Sequence, residues 1–270
     1  MMQETITSTQ NTRIKQVLLL QQKSQERRRS GLFVLEGQRE LERAARHGFR
    51  LHTLFVCPEI AGSDYRGPQS DMPYEVVEVS PQVYARMAYR EGTEGAIAIL
   101  YQKTLEPSDL TWQGAPLFVV LEGVEKPGNV GAILRSADAA DVTAVLICDE
   151  QCDLYNPNLL RASLGSAFTV PTVACTGEAC IDFLKRNRVR ILTAQLQDSN
   201  LYYDTDMTQP TAIVMGTEAT GLTYAWREAA DAHIRIPMLG AMDSLNVSVS
   251  AAILMFEAVR QRSQNIKQKN

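Results

Sequence analysis

Three short stretches place glycine turns or polar groups beside apolar runs. The first follows residues 117–121 and reads Glu122-Gly123-Val124-Glu125-Lys126-Pro127-Gly128-Asn129-Val130-Gly131-Ala132-Ile133-Leu134-Arg135. Asn129 is placed to cap the helix that begins there, and Gly131 to let a ligand backbone come close. Arg135, nearly two turns on, is expected on the same side as Asn129, within reach of phosphate or ribose oxygens. The second follows Ile213-Val214-Met215 and reads Gly216-Thr217-Glu218-Ala219-Thr220-Gly221-Leu222. Gly216 and Gly221 leave backbone amides open to a cofactor, and Glu218 adds an acceptor at the rim. The third spans residues 236–262. A strand over 232–236 stops at Pro237, which cannot donate to a sheet ladder. A polar loop leads to Leu245, Val249, Ala252, Ile253, Phe256 and Val259, which fall at helical spacing. Asp243 or Ser244 is the expected N-cap. The first turn, Ser244-Leu245-Asn246-Val247-Ser248, gathers indifferent helix formers, so something other than helix propensity selects them.

The elements that must position these groups are legible as runs and periods. Residues 117–121 form a continuous apolar run of the kind found in a buried parallel strand, and 143–148, 189–194 and 211–215 repeat it. Helical stretches over 129–140, 158–166 and 178–188 lie between, which predicts a parallel sheet covered on both faces. Upstream, a helix over 9–29 precedes strands over 31–35, 51–56, 76–79 and 95–101, with a further helix after Glu36-Gly37-Gln38. That alternation predicts a small α/β domain. The expected organisation is a first domain over 1–106, a linker over 107–115 in which Trp112 anchors to a neighbouring surface, a second domain over 116–262 and a polar tail over 263–270.

Composition narrows the class. The chain has 270 residues, 45% hydrophobic and 21% charged, in the range of globular proteins with ample core. No apolar run approaches the ~20 residues that span a bilayer. The opening Met-Met-Gln-Glu-Thr has neither part of a signal peptide, so a cytoplasmic protein without a membrane partner is expected. The five cysteines lack paired C-x-x-C spacing, and no metal site is expected. Net charge is −4, yet residues 11–50 hold ten basic and four acidic residues, leaving +6 there and −10 elsewhere. A polyanion contact confined to that end fits this asymmetry, with Arg27, Arg28, Arg29 and Arg39 as its candidates.

The three stretches in this order, with Ile236-Pro237-Met238 and Ser244-Leu245-Asn246-Val247-Ser248 as the last, resemble the signatures of the SpoU branch of the SPOUT RNA methyltransferases. Arg28-Arg29, Phe33, Glu36-Gly37 and Glu94-Gly95-Ala96-Ile97-Ala98 resemble the substrate-binding domain that often precedes them. One departure is Ala139-Ala140-Asp141, where the family usually has an aromatic and a glycine. The resemblance implies an α/β SPOUT domain with a deep trefoil knot, an N-terminal RNA-binding domain, and a homodimer. It implies an S-adenosylmethionine-dependent RNA 2′-O-ribose methyltransferase acting on ribosomal RNA. Transfer RNA as substrate, or a non-catalytic RNA-binding knot protein, are the alternatives; a nucleotide enzyme on an ordinary doubly wound sheet is a third. Thr193, Ala194, Gly216, Gly221, Ile236, Met238 and Leu245 are the implied cofactor contacts. Arg135 would bind phosphate and stabilise developing alkoxide, with Asn129, Glu218, Ser244 and Asn246 positioning it and the ribose. The group that accepts the ribose proton stays open.

Overall fold

The computed structural model describes residues 5–89, 94–149, 153–217 and 220–268. The chain forms two compact units: 1–103 with 154–169, and 104–153 with 170–270.

In the first unit, α1 (Thr12–Gln22) and α2 (Ser24–Ser30) lead into β1 (Leu32–Glu36), α3 (Gln38–Arg46), β2 (Leu51–Val56), α4 (Pro58–Ala61), β3 (Glu75–Glu78), α5 (Pro81–Met87) and β4 (Ala96–Tyr101). The single helix expected over 9–29 is two, because Lys23 is extended at their junction. The sheet runs β1-β4-β2-β3, antiparallel except for β2 with β3. Strand alternation sends Leu32 and Val34 to one face, where they join Ile14, Val17 and Leu20 of α1. Phe33 points to the other and meets Tyr155 at 4.4 Å and Phe168 at 6.2 Å between ring centroids. Tyr155 precedes α7 (Pro157–Ser163), and Phe168 lies in α8 (Ser166–Thr169). Residues 154–169 thus belong to the first unit, although the sequence places them inside the second domain. What decides it is the aromatic face of β1, which needs cover.

The second unit holds β5 (Leu117–Glu122), α6 (Pro127–Ala139), β6 (Ala144–Cys148), β7 (Thr172–Cys175), α9 (Gly177–Arg186), β8 (Arg190–Ala194), β9 (Asn200–Leu201), β10 (Thr211–Met215), α10 (Tyr224–Ala229), β11 (Ala232–Arg235) and α11 (Val247–Gln268). The sheet order is β7-β6-β5-β10-β8-β11-β9, and its paired strands are parallel. Phe118 and Val120 of β5 share one core with Cys180 and Leu184 of α9 and Trp226 of α10. Helix α11 packs on α6 and β10. Trp112 stands edge-on to Phe118 and Phe183, so the segment before β5 is pinned to this unit.

Strand β7 carries little sequence signal, because Thr172-Val173-Ala174-Cys175 is short and follows Pro171. The expected polar tail is instead helical to Gln268. Polar residues of α11 fasten it: Gln261 bonds Met207 N–H and the Thr205 carbonyl, and Arg262 donates to the carbonyls of Met207, Ala115, Pro116 and Gln209. No helix among the described residues is long and apolar enough to cross a membrane.

Candidate active site

In an open parallel sheet, ligands bind beyond the carboxyl ends of the strands, where the strand order reverses. Strand β5 has β6 on one side and β10 on the other, which makes this reversal. The loops leaving β8, β10 and β11 enclose a cavity of about 390 Å³. Of the residues expected at a cofactor, Ala194, Gly216, Gly221, Ile236, Met238 and Leu245 line it, as does Ser244. Thr193 does not. It is fully buried within the sheet, and its hydroxyl pairs with His233 Nδ1 at 2.6 Å across β8 and β11.

The β10 loop is shaped by backbone approach. A Cβ on Gly216 would lie 2.5 Å from the Gly221 carbonyl carbon and 2.6 Å from its oxygen. Only glycine permits the loop to close on itself, which it does through mutual hydrogen bonds of Thr217 and Gly221. Gly221 holds φ +67°, where a side chain is strained. Gly216 therefore admits the close approach of Gly221, and it lines the cavity as well. Glu122, buried at the end of β5, accepts from Thr223 N–H at 2.8 Å and its hydroxyl at 2.7 Å, anchoring the far end of the loop.

A second cavity, about 300 Å³, adjoins the first and shares Gly216, Thr217, Thr220 and Val247 with it. Gly123, Lys126 and Asn129 line its other side. Asn129 is not the helix cap, since α6 begins at Pro127 and Asn129 lies in its first turn. Its Oδ1 accepts from Asn246 Nδ2 at 3.2 Å. Asn246, not Asp243 or Ser244, caps α11: its Oδ1 takes Ser248 N–H at 3.0 Å. Its carbonyl takes Ser250 N–H at 3.0 Å. That explains the unusual first turn, where a capping and bridging Asn outweighs propensity.

Arg135 is exposed on α6 and lines neither cavity. Six residues at 3.6 per turn place it about 120° around the helix from Asn129, not on the same side. Gly131 is buried and lines neither cavity. Glu218 lies outside the described residues. Spacing alone did not reveal Gln195, Arg227, Arg235 and Asp243, which also line the larger cavity. Gln195 Oε1 is buried without a hydrogen-bond partner among the described residues.

In the first unit, the arginine cluster divides. Arg27 is 2% exposed, and its guanidinium donates to the carbonyls of Leu20 and Gln21. It joins α1 to α2 and is removed from the RNA-binding candidates by burial. Arg28 and Arg29 are exposed; Arg29 pairs with Glu26 at 2.7 Å on the same helix. Arg39 is exposed with Glu94 at 3.9 Å. A feature the sequence did not announce is a cleft lined by Arg50, His52, Met72, Tyr74 and Tyr101, where the Arg50 guanidinium lies 4.8 Å over the Tyr101 ring. His52 stands 5.5 Å from the same ring. Stacked guanidinium and aromatic planes are what unpaired bases pack on.

Residues 116–256 match the SpoU rRNA Methylase family. The chain belongs to that family. Residues 11–98 match the MRM3-like substrate binding domain. Among its relatives is the 23S rRNA (uridine(2479)-2′-O)-methyltransferase of Streptomyces viridochromogenes, 29% identical over 94% of this chain and 92% of the relative. The 23S rRNA (guanosine-2′-O-)-methyltransferase RlmB of Escherichia coli K12 is 38% identical over 60% of this chain and 68% of its own length. The crystal structure of the SpoU methyltransferase AviRb from S. viridochromogenes, in complex with AdoMet, superposes with a TM-score of 0.83 at 26% identity, covering 94% of this chain and 99% of that one. The SpoU match takes in both cavities and the Asn129–Asn246 bridge between α6 and α11.

Proposed function

We propose that this SpoU family member transfers a methyl group from S-adenosylmethionine to a ribose 2′-hydroxyl of 23S ribosomal RNA. The observation that carries this reading is the pair of adjoining cavities sharing one wall at the switch point of the sheet. The larger suits the cofactor. Leu245, Leu254, Ile234 and Met238 offer an apolar bed, and Gln195 an unsatisfied acceptor. Asp243 and Arg227 offer counter-charges for an amino acid's two ends. When bound, S-adenosylmethionine supplies an electrophilic methyl carbon with a neutral leaving group, so the protein's task is to align the hydroxyl and stabilise charge.

The smaller cavity suits the ribose. Asn129, held by Asn246, presents a fixed amide there. Arg135 binds the neighbouring phosphate and stabilises the developing alkoxide. Guanidinium pKa values above ~12 keep it from acting as a base. Because it lies around α6 from Asn129, Arg135 serves an RNA strand lying across the helix rather than a ligand inside the cavity. Ser244 at the cofactor cavity and Glu218 complete the site in this reading.

The first unit grips structured RNA through Arg28, Arg29 and Arg39, and stacks a base in the Arg50–Tyr101 cleft. The trefoil knot, a cytoplasmic location and a homodimer belong to the same reading. What supports the dimer is α11, where Val249 and Phe256 are 47% exposed one heptad apart, while Leu254 and Met255 are buried. The exposed apolar stripe runs from Val249 to Phe256, while Leu254 and Met255 face the unit's core.

Mapping of 2′-O-methylated positions in 23S rRNA, with and without the protein, tests the function. One nucleotide whose methylation depends on the protein is expected. Methyl transfer to transfer RNA alone, or to no RNA despite cofactor binding, would replace this reading with one of its rivals.

A further inference from the structure

Spacing in the sequence gives no reason to expect a metal site, because the residues that could form one come from three separate elements. Cys148 ends β6, Cys175 ends β7, and Cys180 closes the first turn of α9. Cys148 and Cys175 are directly opposed across the parallel pair, so both leave the sheet on one face. Cys180 reaches that face from the covering helix, in the core cluster that holds Cys148. The three sulfurs lie within 4.8 Å of one another. Cys148 and Cys180 are fully buried, and Cys175 is half-buried, which leaves one thiol as the way in.

Three thiols in a core can be simple small hydrophobes, but packing alone does not require their sulfurs to converge. A thiophilic cation does. With metal–sulfur bonds of about 2.3 Å, three ligands of a tetrahedral or trigonal site lie roughly 3.8–4.0 Å apart. The widest separation here needs to contract by less than about 1 Å to reach that spacing. The position also matters mechanically. Among the described residues, strand β7 is at the sheet's edge and pairs with β6, and α9 follows it directly.

We propose that Cys148, Cys175 and Cys180 form a three-thiolate site for one soft d¹⁰ cation, Zn²⁺ in the first instance, that staples β7 and α9 to β6. Three S–H groups release their protons to solvent as three metal–sulfur bonds form, and water takes the fourth position. No redox change is involved. The site is structural and separate from the methyl-transfer residues.

The test uses the full chain, reduced and treated with a chelator, and Co²⁺ as the spectroscopic probe. One equivalent should produce thiolate-to-metal charge-transfer absorption with the intense visible bands of tetrahedral cobalt, and Zn²⁺ should displace it. Cys175→Ser, the variant least able to disturb the core, should weaken Co²⁺ binding at least tenfold. A Cys57→Ser/Cys152→Ser variant, which keeps only the three proposed ligands, should bind as wild type. Zn²⁺ should raise Tm in wild type and leave that of Cys175→Ser unmoved. Absence of the charge-transfer band in wild type, its survival in Cys175→Ser, or its loss in the double variant would each overturn the proposal. Because cofactor and RNA binding are not read, failure here leaves the methyl-transfer reading intact.

Discussion

Asn246 donates from Nδ2 to Oδ1 of Asn129 at 3.2 Å, and the two residues stand 117 positions apart. The same Asn246 accepts Ser248 N–H through its own Oδ1. One side chain therefore caps α11 and fixes the amide of Asn129 at the wall of the smaller cavity. These two duties separate by substitution. Asn246→Ala loses both and should destabilise the protein by about 1 kcal/mol. Asn246→Asp keeps the cap acceptor and loses the donor. Thermal melts should show a lower Tm for Ala and a near-normal one for Asp, while methyl transfer falls at least tenfold in both. Full activity in Asn246→Asp would remove the bridge from the mechanism.

Arg135→Ala should abolish methyl transfer and leave S-adenosylmethionine affinity within about twofold, because Arg135 lines neither cavity. Arg135→Lys should rescue poorly, since a point charge does not replace a planar fork at phosphate. Single-turnover rates alongside calorimetric Kd values check this. A parallel loss of cofactor binding would place Arg135 on the wrong ligand.

Gly216→Ala puts a methyl 2.5 Å from the Gly221 carbonyl carbon, and backbone cannot yield as a flexible side chain does. The loop must open, so cofactor Kd should rise tenfold or more, about 1.4 kcal/mol. Among the described residues, Gly221→Ala meets nothing closer than 3.7 Å, and its strain comes from its φ of +67°. Its effect on Kd should be the smaller of the two. Calorimetric titration of both variants gives the comparison, and equal effects would contradict the close-approach argument.

Arg27 and its neighbours should behave oppositely. Arg27→Gln removes buried hydrogen bonds to Leu20 and Gln21 carbonyls and should cost about 1–3 kcal/mol of stability. Arg28→Gln/Arg29→Gln should leave Tm nearly unchanged, weaken RNA binding, and flatten the dependence of log affinity on log salt. Each phosphate contact removed takes roughly 0.7–0.9 from that slope. Parallel salt lines for wild type and the double variant would mean the exposed arginines are only a solvated face.

Glu257 of α11 is buried and accepts from Arg260 at 2.7 and 2.8 Å and from Gln261 at 2.8 Å. The Arg260 hydrogen bond holds its carboxyl below the usual glutamate range, against the opposing effect of burial. A depressed folded-state pKa stabilises above the unfolded value, about 4.3, and that contribution is lost as pH falls through the folded value. The acid limb of Tm against pH should therefore be steeper in wild type than in Glu257→Gln. Superimposable limbs would show that the pair does not contribute.

What the sequence determined by itself was local. Continuous apolar runs marked β5, β6, β8 and β10, because a strand buried on both faces must be apolar throughout. Glycine turns and the SpoU signatures marked the loops after β5, β10 and β11, since those loops are read from consecutive residues. Tertiary structure decided which distant groups meet. Periodicity reports that a face is apolar, not which element covers it, so the sequence places 154–169 in the second domain whereas their aromatics pack on Phe33 of the first unit. Basic clustering reports charge, not burial, and only the carbonyls at the end of α1 could draw Arg27 inside. Asn129 with Asn246, and Cys148 with Cys175 and Cys180, are neighbours because parallel strands and their covering helices bring remote residues to one end of the sheet. No local spacing encodes that meeting, since it is made by the packing of whole elements.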